Sequence, residues 1–196
     1  MTDNQTKKDP FYIFTSISGV LYNYKSAECV HGPFLSQINY PILTKDNVNA
    51  LNYLLTSLEQ YYDTKLIITS KVRKDLPLCI DYLQRNGLKY DKTIFATLFK
   101  EGKRSDKIIE FMKSQNVNPN TKTTLADFAT KLLNKAQSDR SFKNYLVIDK
   151  KNYSLSNRFP KSNYIATNPQ TEGLTIEKVL DFLNQLNLNQ ESAAMQ

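Results

Sequence analysis

The chain has 196 residues, 40% of them hydrophobic and 23% charged, with five glycines and seven prolines. Those figures exclude a collagen-like repeat, a low-complexity chain and a disulfide-stapled miniprotein, and the length suits one domain with a buried core. The apolar runs, such as residues 66–68 and 146–148, fall far short of the roughly 20 residues a membrane span needs. The polar start MTDNQTKKDP is unlike a secretory leader. The expectation is a soluble cytoplasmic protein with no membrane partner.

Formal charge is +7, and residues 65–107 carry +6 of it, with eleven Lys or Arg against five Asp or Glu. Such a stretch either solvates helix faces or attracts anions such as nucleic acid, phosphorylated metabolites or anionic lipid. The two cysteines, Cys29 and Cys79, lack CxxC spacing. Cys79 falls in a helical apolar pattern and is expected to be a small buried hydrophobe. Cys29 lies two residues before His31, the only histidine. Together they supply half a metal site, whereas zinc takes three or four ligands, so no metal is expected.

Residues 1–10 are polar and expected to fray. Residues 11–17 (FYIFTSI) are aromatic and β-branched, and predict a buried strand ending at the turn Ser18-Gly19. Residues 22–43 have no clear period and read as a long loop or small flap insertion. Thr44 then caps a helix whose stripe is Val48, Leu51, Leu54, Leu55 and Leu58. A short strand (KLIITS, 65–70) and a helix over 75–86 ending on Gly87 follow. A third strand is expected at 93–98, and a helix over 102–115 with Ile108, Ile109, Phe111 and Met112 inside. Residues 122–136 predict another amphipathic helix, and 145–149 (YLVID) the clearest buried strand. A short strand near 164–166 precedes a last helix, capped by Thr175, through Ile176, Val179, Leu180, Leu183 and Leu186. The tail 189–196 is expected to be disordered.

Strands alternating with helices predict an α/β fold: one domain over residues 11–188, a three-layer doubly wound, mainly parallel sheet. Ligands of such folds sit beyond the carboxyl ends of the strands. The residues to inspect are therefore 15–19, 69–71, Thr97, 149–151 and 166–168. Neither GxGxxG nor GxxxxGK[ST] occurs.

Four of these segments, in order, resemble the motifs of the haloacid dehalogenase (HAD) phosphohydrolase superfamily, in particular small domains of bacterial RNA-repair proteins. The run FTSISGVL (14–21) resembles the first motif, a strand followed by Asp-x-Asp-Gly-[Val/Thr]-Leu. The run IITSKVR (67–73) resembles the second, a strand ending in Thr or Ser. The run KRSDKIIEF (103–111) is similar to the third, which supplies a basic residue near a helix start, here Lys103 or Lys107. The run YLVIDK (145–150) resembles the fourth, a strand ending in one or two acids. The resemblance implies a HAD-like Rossmannoid fold with little or no cap, and a site at Ser16, Ser18, Gly19, Thr69, Ser70, Lys103, Lys107, Asp149 and Lys150.

This sequence departs from the family where the chemistry is done. The family's nucleophilic aspartate and its acid/base partner fall on Ser16 and Ser18, and the second acid of motif four falls on Lys150. Of those carboxylates only Asp149 remains. A serine hydroxyl needs an adjacent base where a carboxylate does not, and Asp149 is the only candidate. Mg²⁺ prefers hard anionic oxygens, so its binding is expected to be weak or absent. Serine hydroxyls, Thr69, the turn's amides and lysines can instead hold a phosphate without metal. The expected function is a pseudophosphatase that binds a phosphorylated small molecule or a protein partner, with no confident catalytic residue. The alternatives are a weak or atypical HAD-type phosphohydrolase, and a nucleic-acid-binding accessory protein using Tyr22, Tyr24, Tyr40, Tyr61 and Tyr62 as stacking platforms.

Overall fold

The computed structural model describes residues 8–24, 29–30, 40–98, 101–115, 144–151 and 153–186. The predicted helix at 122–136, residues 1–7 of the segment expected to fray, the 189–196 tail and the side chains of Cys29 and His31 lie outside the described residues; the last part of that segment joins the sheet instead, with Pro10 opening β1 opposite Asp63 and the Asp9 carbonyl accepting from the Asp63 amide at 2.9 Å. Seven strands are described: β1 (Pro10–Thr15), β2 (Cys29–Val30), β3 (Tyr40–Pro41), β4 (Asp63–Ile68), β5 (Ile94–Ala96), β6 (Tyr145–Lys150) and β7 (Tyr164–Thr167). The helices are α1 (Lys45–Glu59), α2 (Leu76–Arg85), α3 (Arg104–Ser114), α4 (Tyr153–Ser156) and α5 (Ile176–Gln185).

Five strands form one sheet in the order β5-β4-β1-β6-β7, and every pairing is parallel. The expected α/β sheet is therefore present, and it is wholly rather than mainly parallel among the described residues. β1 lies at its centre, with Ile13 opposite Leu66 on one side and Leu146 on the other. Central strands of parallel sheets are covered on both faces and read as unbroken apolar runs; Phe11 to Phe14 and Tyr145 to Ile148 are accordingly all buried. Side chains alternate across a strand, so β1 feeds two cores. Phe11 and Ile13 join Leu51, Leu54, Leu58, Leu83, Val179 and Leu183, the inner stripes of α1, α2 and α5. Tyr12 and Phe14 face the other way, onto Ile108 and Met112 of α3 and Leu155 and Phe159 around α4.

Several local expectations shift at their edges. The first strand stops at Thr15, since Ser16 and Ile17 already belong to the turn. Ile176 is exposed and Phe182 takes its place in the core of α5. Asp75 caps α2 by accepting from the Leu78 amide at 3.2 Å. Gly87 follows α2 at φ +96°, the left-handed conformation expected of it. Within the expected 22–43 loop, β2 and β3 form a two-residue antiparallel pair.

Chain order places the site. From β1 the chain steps outward through β4 to β5, then crosses back to β6 on the other side of β1 and continues to β7. The connections after β1 and β6 thus leave on opposite faces, with α1 in one core and α4 in the other. A crevice opens where neighbouring strands part in this way, at their carboxyl ends. Ser16 and Asp149 stand there.

Candidate functional site

The turn after β1 is held from both neighbours. The Ser16 amide donates to the Ile148 carbonyl at 3.1 Å, and the Thr69 amide and hydroxyl donate to the Thr15 carbonyl at 2.9 and 3.1 Å. Ser70 Oγ accepts from the Ile17 amide at 2.5 Å and lies 3.1 Å from Ser16 Oγ. Gly19 then turns the chain at φ +76°, where a Cβ would stand 2.7 Å from Pro169 Cβ. The Thr167 hydroxyl donates to the Gly19 carbonyl at 2.5 Å. Loops after β1, β4 and β7 therefore lock one another, as the left-handed turn and its close neighbour demand.

Asp149 ends β6 almost fully buried, and its carboxylate is bonded twice from within the chain. Oδ1 accepts from the Lys150 amide at 2.8 Å, and Oδ2 pairs with Arg104 Nη1. Arg104 Nη1 also lies 3.3 Å from Ser16 Oγ. Burial pushes the Asp149 carboxyl above its ordinary value, and the adjacent guanidinium offsets part of that rise. Ser16, Ser70, Arg104 and Asp149 thus form one linked cluster at the ends of β1, β4 and β6.

Arg104 is the residue that reading the motifs missed. Lys103 precedes the helix and is exposed, and Lys107 lines a neighbouring cavity. The signal was present in the helical period: Met112 and Ile108 are buried on the inner stripe of α3, and four residues back along it is Arg104. Helical side chains lean toward the N-terminus, so a cation in the first turn reaches over the strand ends.

Arg73, also missed, is 7% exposed in the short 3-10 turn after β4. Its guanidinium donates to the carbonyls of Thr69 (2.8 Å), Ser70 (2.6 Å), Thr97 (2.9 Å) and Leu98 (3.2 Å), tying the ends of β4 and β5 together. Beside it, Thr69, Lys71, Arg73, Glu101, Gly102, Arg104 and Lys107 line a cavity of about 430 Å³.

The remaining predicted residues fall elsewhere. Lys150 Nζ points away from Asp149, to Tyr24 Oη at 3.4 Å, and Ser18 Oγ lies 3.3 Å from the same phenol. Ser18, then Lys150, hold the Tyr24 phenol below its ordinary pKa. The hydrogen bonds of Ser16 go to Ser70 and Arg104, and that of Ser18 to Tyr24, so neither hydroxyl is paired with the one carboxylate that could act as its base. Nor does this donor set suit Mg²⁺: it offers hydroxyls, an ammonium turned aside, and one carboxylate already bonded to a guanidinium. No group of three or more metal-binding side chains occurs among the described residues. No described helix is long and apolar enough to cross a membrane.

No protein-family model, no curated protein and no solved structure matches the chain.

Proposed function

We propose that this chain is a catalytically silent HAD-like protein that binds a phosphorylated ligand without Mg²⁺-dependent phosphoryl transfer. The observation that carries the reading is the bonding of Arg104 to both Asp149 and Ser16. A HAD-type reaction centre needs an ionised nucleophile and an acidic metal pocket. Here the nucleophile position is a serine bonded to a second serine and a guanidinium, and the surviving acid is neutralised in place. Support for the superfamily comes from the four motif-like segments, which converge at one end of one sheet although they span residues 14–150. The motif-one strand β1 lies between the motif-two strand β4 and the motif-four strand β6, and the motif-three helix begins above them. Support for an anionic ligand comes from the adjoining cavity, whose lining among the described residues includes Lys71, Arg73 and Lys107 beside Glu101 and the Asp149-bound Arg104.

The nucleic-acid reading receives less support, because its tyrosines divide. Tyr22 and Tyr24 follow the carboxyl end of β1, whereas Tyr61 and Tyr62 precede the amino end of β4, and parallel strands put these at opposite ends of the sheet.

The test is turnover of an aryl phosphate with Mg²⁺, by the natural protein and by a Ser16→Asp, Ser18→Asp, Lys150→Asp variant. The natural protein is expected to be inactive and the variant to gain activity. Turnover by the natural protein that disappears on Ser16→Ala would sink the proposal.

A further inference from the structure

We infer that the Tyr24 hydroxyl is a nucleophilic modification site that takes an acyl group from an activated acyl donor, with Ser18 and Lys150 as its supporting hydrogen-bond donors. The inference does not depend on the phosphorylated ligand proposed above, and Tyr24 belongs to none of the four motif-like segments.

A side chain that is to be acylated must be reachable, held in place and partly ionised. Tyr24 is 42% exposed, yet it is fixed at both ends. Its amide donates to the Pro169 carbonyl at 2.8 Å, and its ring leans on that of Tyr22 with centroids 6.2 Å apart. Its hydroxyl stands between Ser18 Oγ, at 3.3 Å, and Lys150 Nζ, at 3.4 Å. An ammonium only donates, and a serine hydroxyl can turn its proton either way. Both neighbours can therefore donate to a phenolate oxygen, and the Ser18 bond, then Lys150, favours that form against the effect of burial. Asp149, whose charge works against a phenolate, is bonded to Arg104 instead.

The same two donors select the electrophile. When a phenolate attacks a carbonyl carbon, its charge passes to the adjoining carbonyl oxygen, and donors already aimed at the phenolate lie beside that oxygen. A nucleoside triphosphate, the other common donor class, reacts with its polyphosphate on Mg²⁺. A hydroxyl and an ammonium supply none of the anionic oxygens that ion prefers. The step balances without a cofactor. The phenol oxygen forms the new ester bond, the bond from the carbonyl carbon to the leaving group breaks, and the phenol proton reaches the leaving group through solvent. Asp149, held by Arg104, is not placed to direct water at the ester, so the acyl group stays on Tyr24.

The test treats the full chain with N-acetylimidazole, which acetylates a tyrosine hydroxyl and releases imidazole, and follows each site by peptide mass mapping. Hydroxylamine removes the ester but leaves an acetyl-lysine amide. Tyr53, 44% exposed on α1, is the internal standard, and fully buried Tyr145 stays unlabelled while the chain is folded. Tyr24 is expected to react about fivefold faster than Tyr53, and Lys150→Gln or Ser18→Ala to remove most of that advantage. Lys150→Arg, which keeps a cationic donor, should retain it. Reaction of Tyr24 no faster than that of Tyr53 overturns the inference. So does a fast reaction that persists in both Lys150→Gln and Ser18→Ala, because exposure alone would then be the cause. Acetylation of Lys150 as an amide ahead of Tyr24 overturns it as well, by making the lysine nitrogen the nucleophile.

Discussion

Asp149 and Arg104 are unequal partners. Asp149 is 1% exposed and Arg104 30% at their side chains, so the acid bears most of the desolvation while the base can still reach water. Removing the guanidinium strands a buried charge, and Arg104→Ala should cost about 3 kcal/mol at neutral pH. Removing the acid strands little. A carboxyl held above its ordinary value contributes stability that is complete below 3.8 and is lost as pH rises through the raised folded value. Asp149→Asn should therefore be at least as stable as the natural protein at pH 7, its advantage shrinking as the solution is acidified through that window. Urea melts of both variants between pH 4 and 7 check this; a clear loss for Asp149→Asn at pH 7 would mean that the ion pair outweighs burial. Cys79 offers a simpler test. Burial pushes its thiol up to about 11, and the thiolate is the reactive form. Alkylation of Cys79 at pH 8, followed by peptide mass mapping, should be negligible until denaturant unfolds the chain.

At the scale of elements, the turn after β1 depends on a residue that is neither acidic nor nucleophilic. Gly19 combines φ +76° with a 2.7 Å approach to Pro169 by any added Cβ. Left-handed backbone costs a substituted residue roughly 1–2 kcal/mol, and crowding in a packed site adds about as much. Gly19→Ala is therefore expected to lower stability by about 2–4 kcal/mol and to loosen the Thr167 hydroxyl from the Gly19 carbonyl. Calorimetry, with amide exchange at Val20 and Leu174, reads both effects; the Leu174 amide donates to Val20 across the same junction at 2.8 Å. Near-wild-type melting would show that the loop after β7 gives way easily. The start of α3 teaches a related lesson. A displacement of one residue, from Lys103 to Arg104, decides which cation reaches the strand ends, and the phase of the apolar stripe sets it.

For the whole molecule, the central strands couple the two cores. β1, β4 and β6 each send alternate residues to both faces, such as Leu66 to one and Ile67 to the other, or Leu146 and Val147. Neither core can open without exposing the reverse side of the same strands, so unfolding should be a single transition. Leu66→Ala and Ile67→Ala, which probe opposite cores, should each cost about 2–5 kcal/mol and shift the far- and near-ultraviolet circular dichroism transitions together. Two separated transitions in either variant would contradict this coupling.

Read alone, the sequence determined the alternation of strands and helices, the cap at Thr175, the Gly87 terminus and the buried stripe of α1, whereas Thr44, expected to cap α1, makes no side-chain capping bond and the cap of α2 at Asp75 is seen only in the structure. These depend on side-chain period and local backbone preference, which operate over a few neighbouring residues. It also indicated Ser16, Thr69, Ser70 and Asp149 as strand-end residues, because a parallel sheet places its ligands there. Only the tertiary structure decided what those residues bond to. Arg104 joins Ser16 from 88 positions away and Asp149 from 45, Lys150 turns to Tyr24, and Arg73 spends its donors on carbonyls. Such contacts follow from how the strands are ordered and how the helices lie across them. A buried carboxylate takes whichever cation the packing brings within reach.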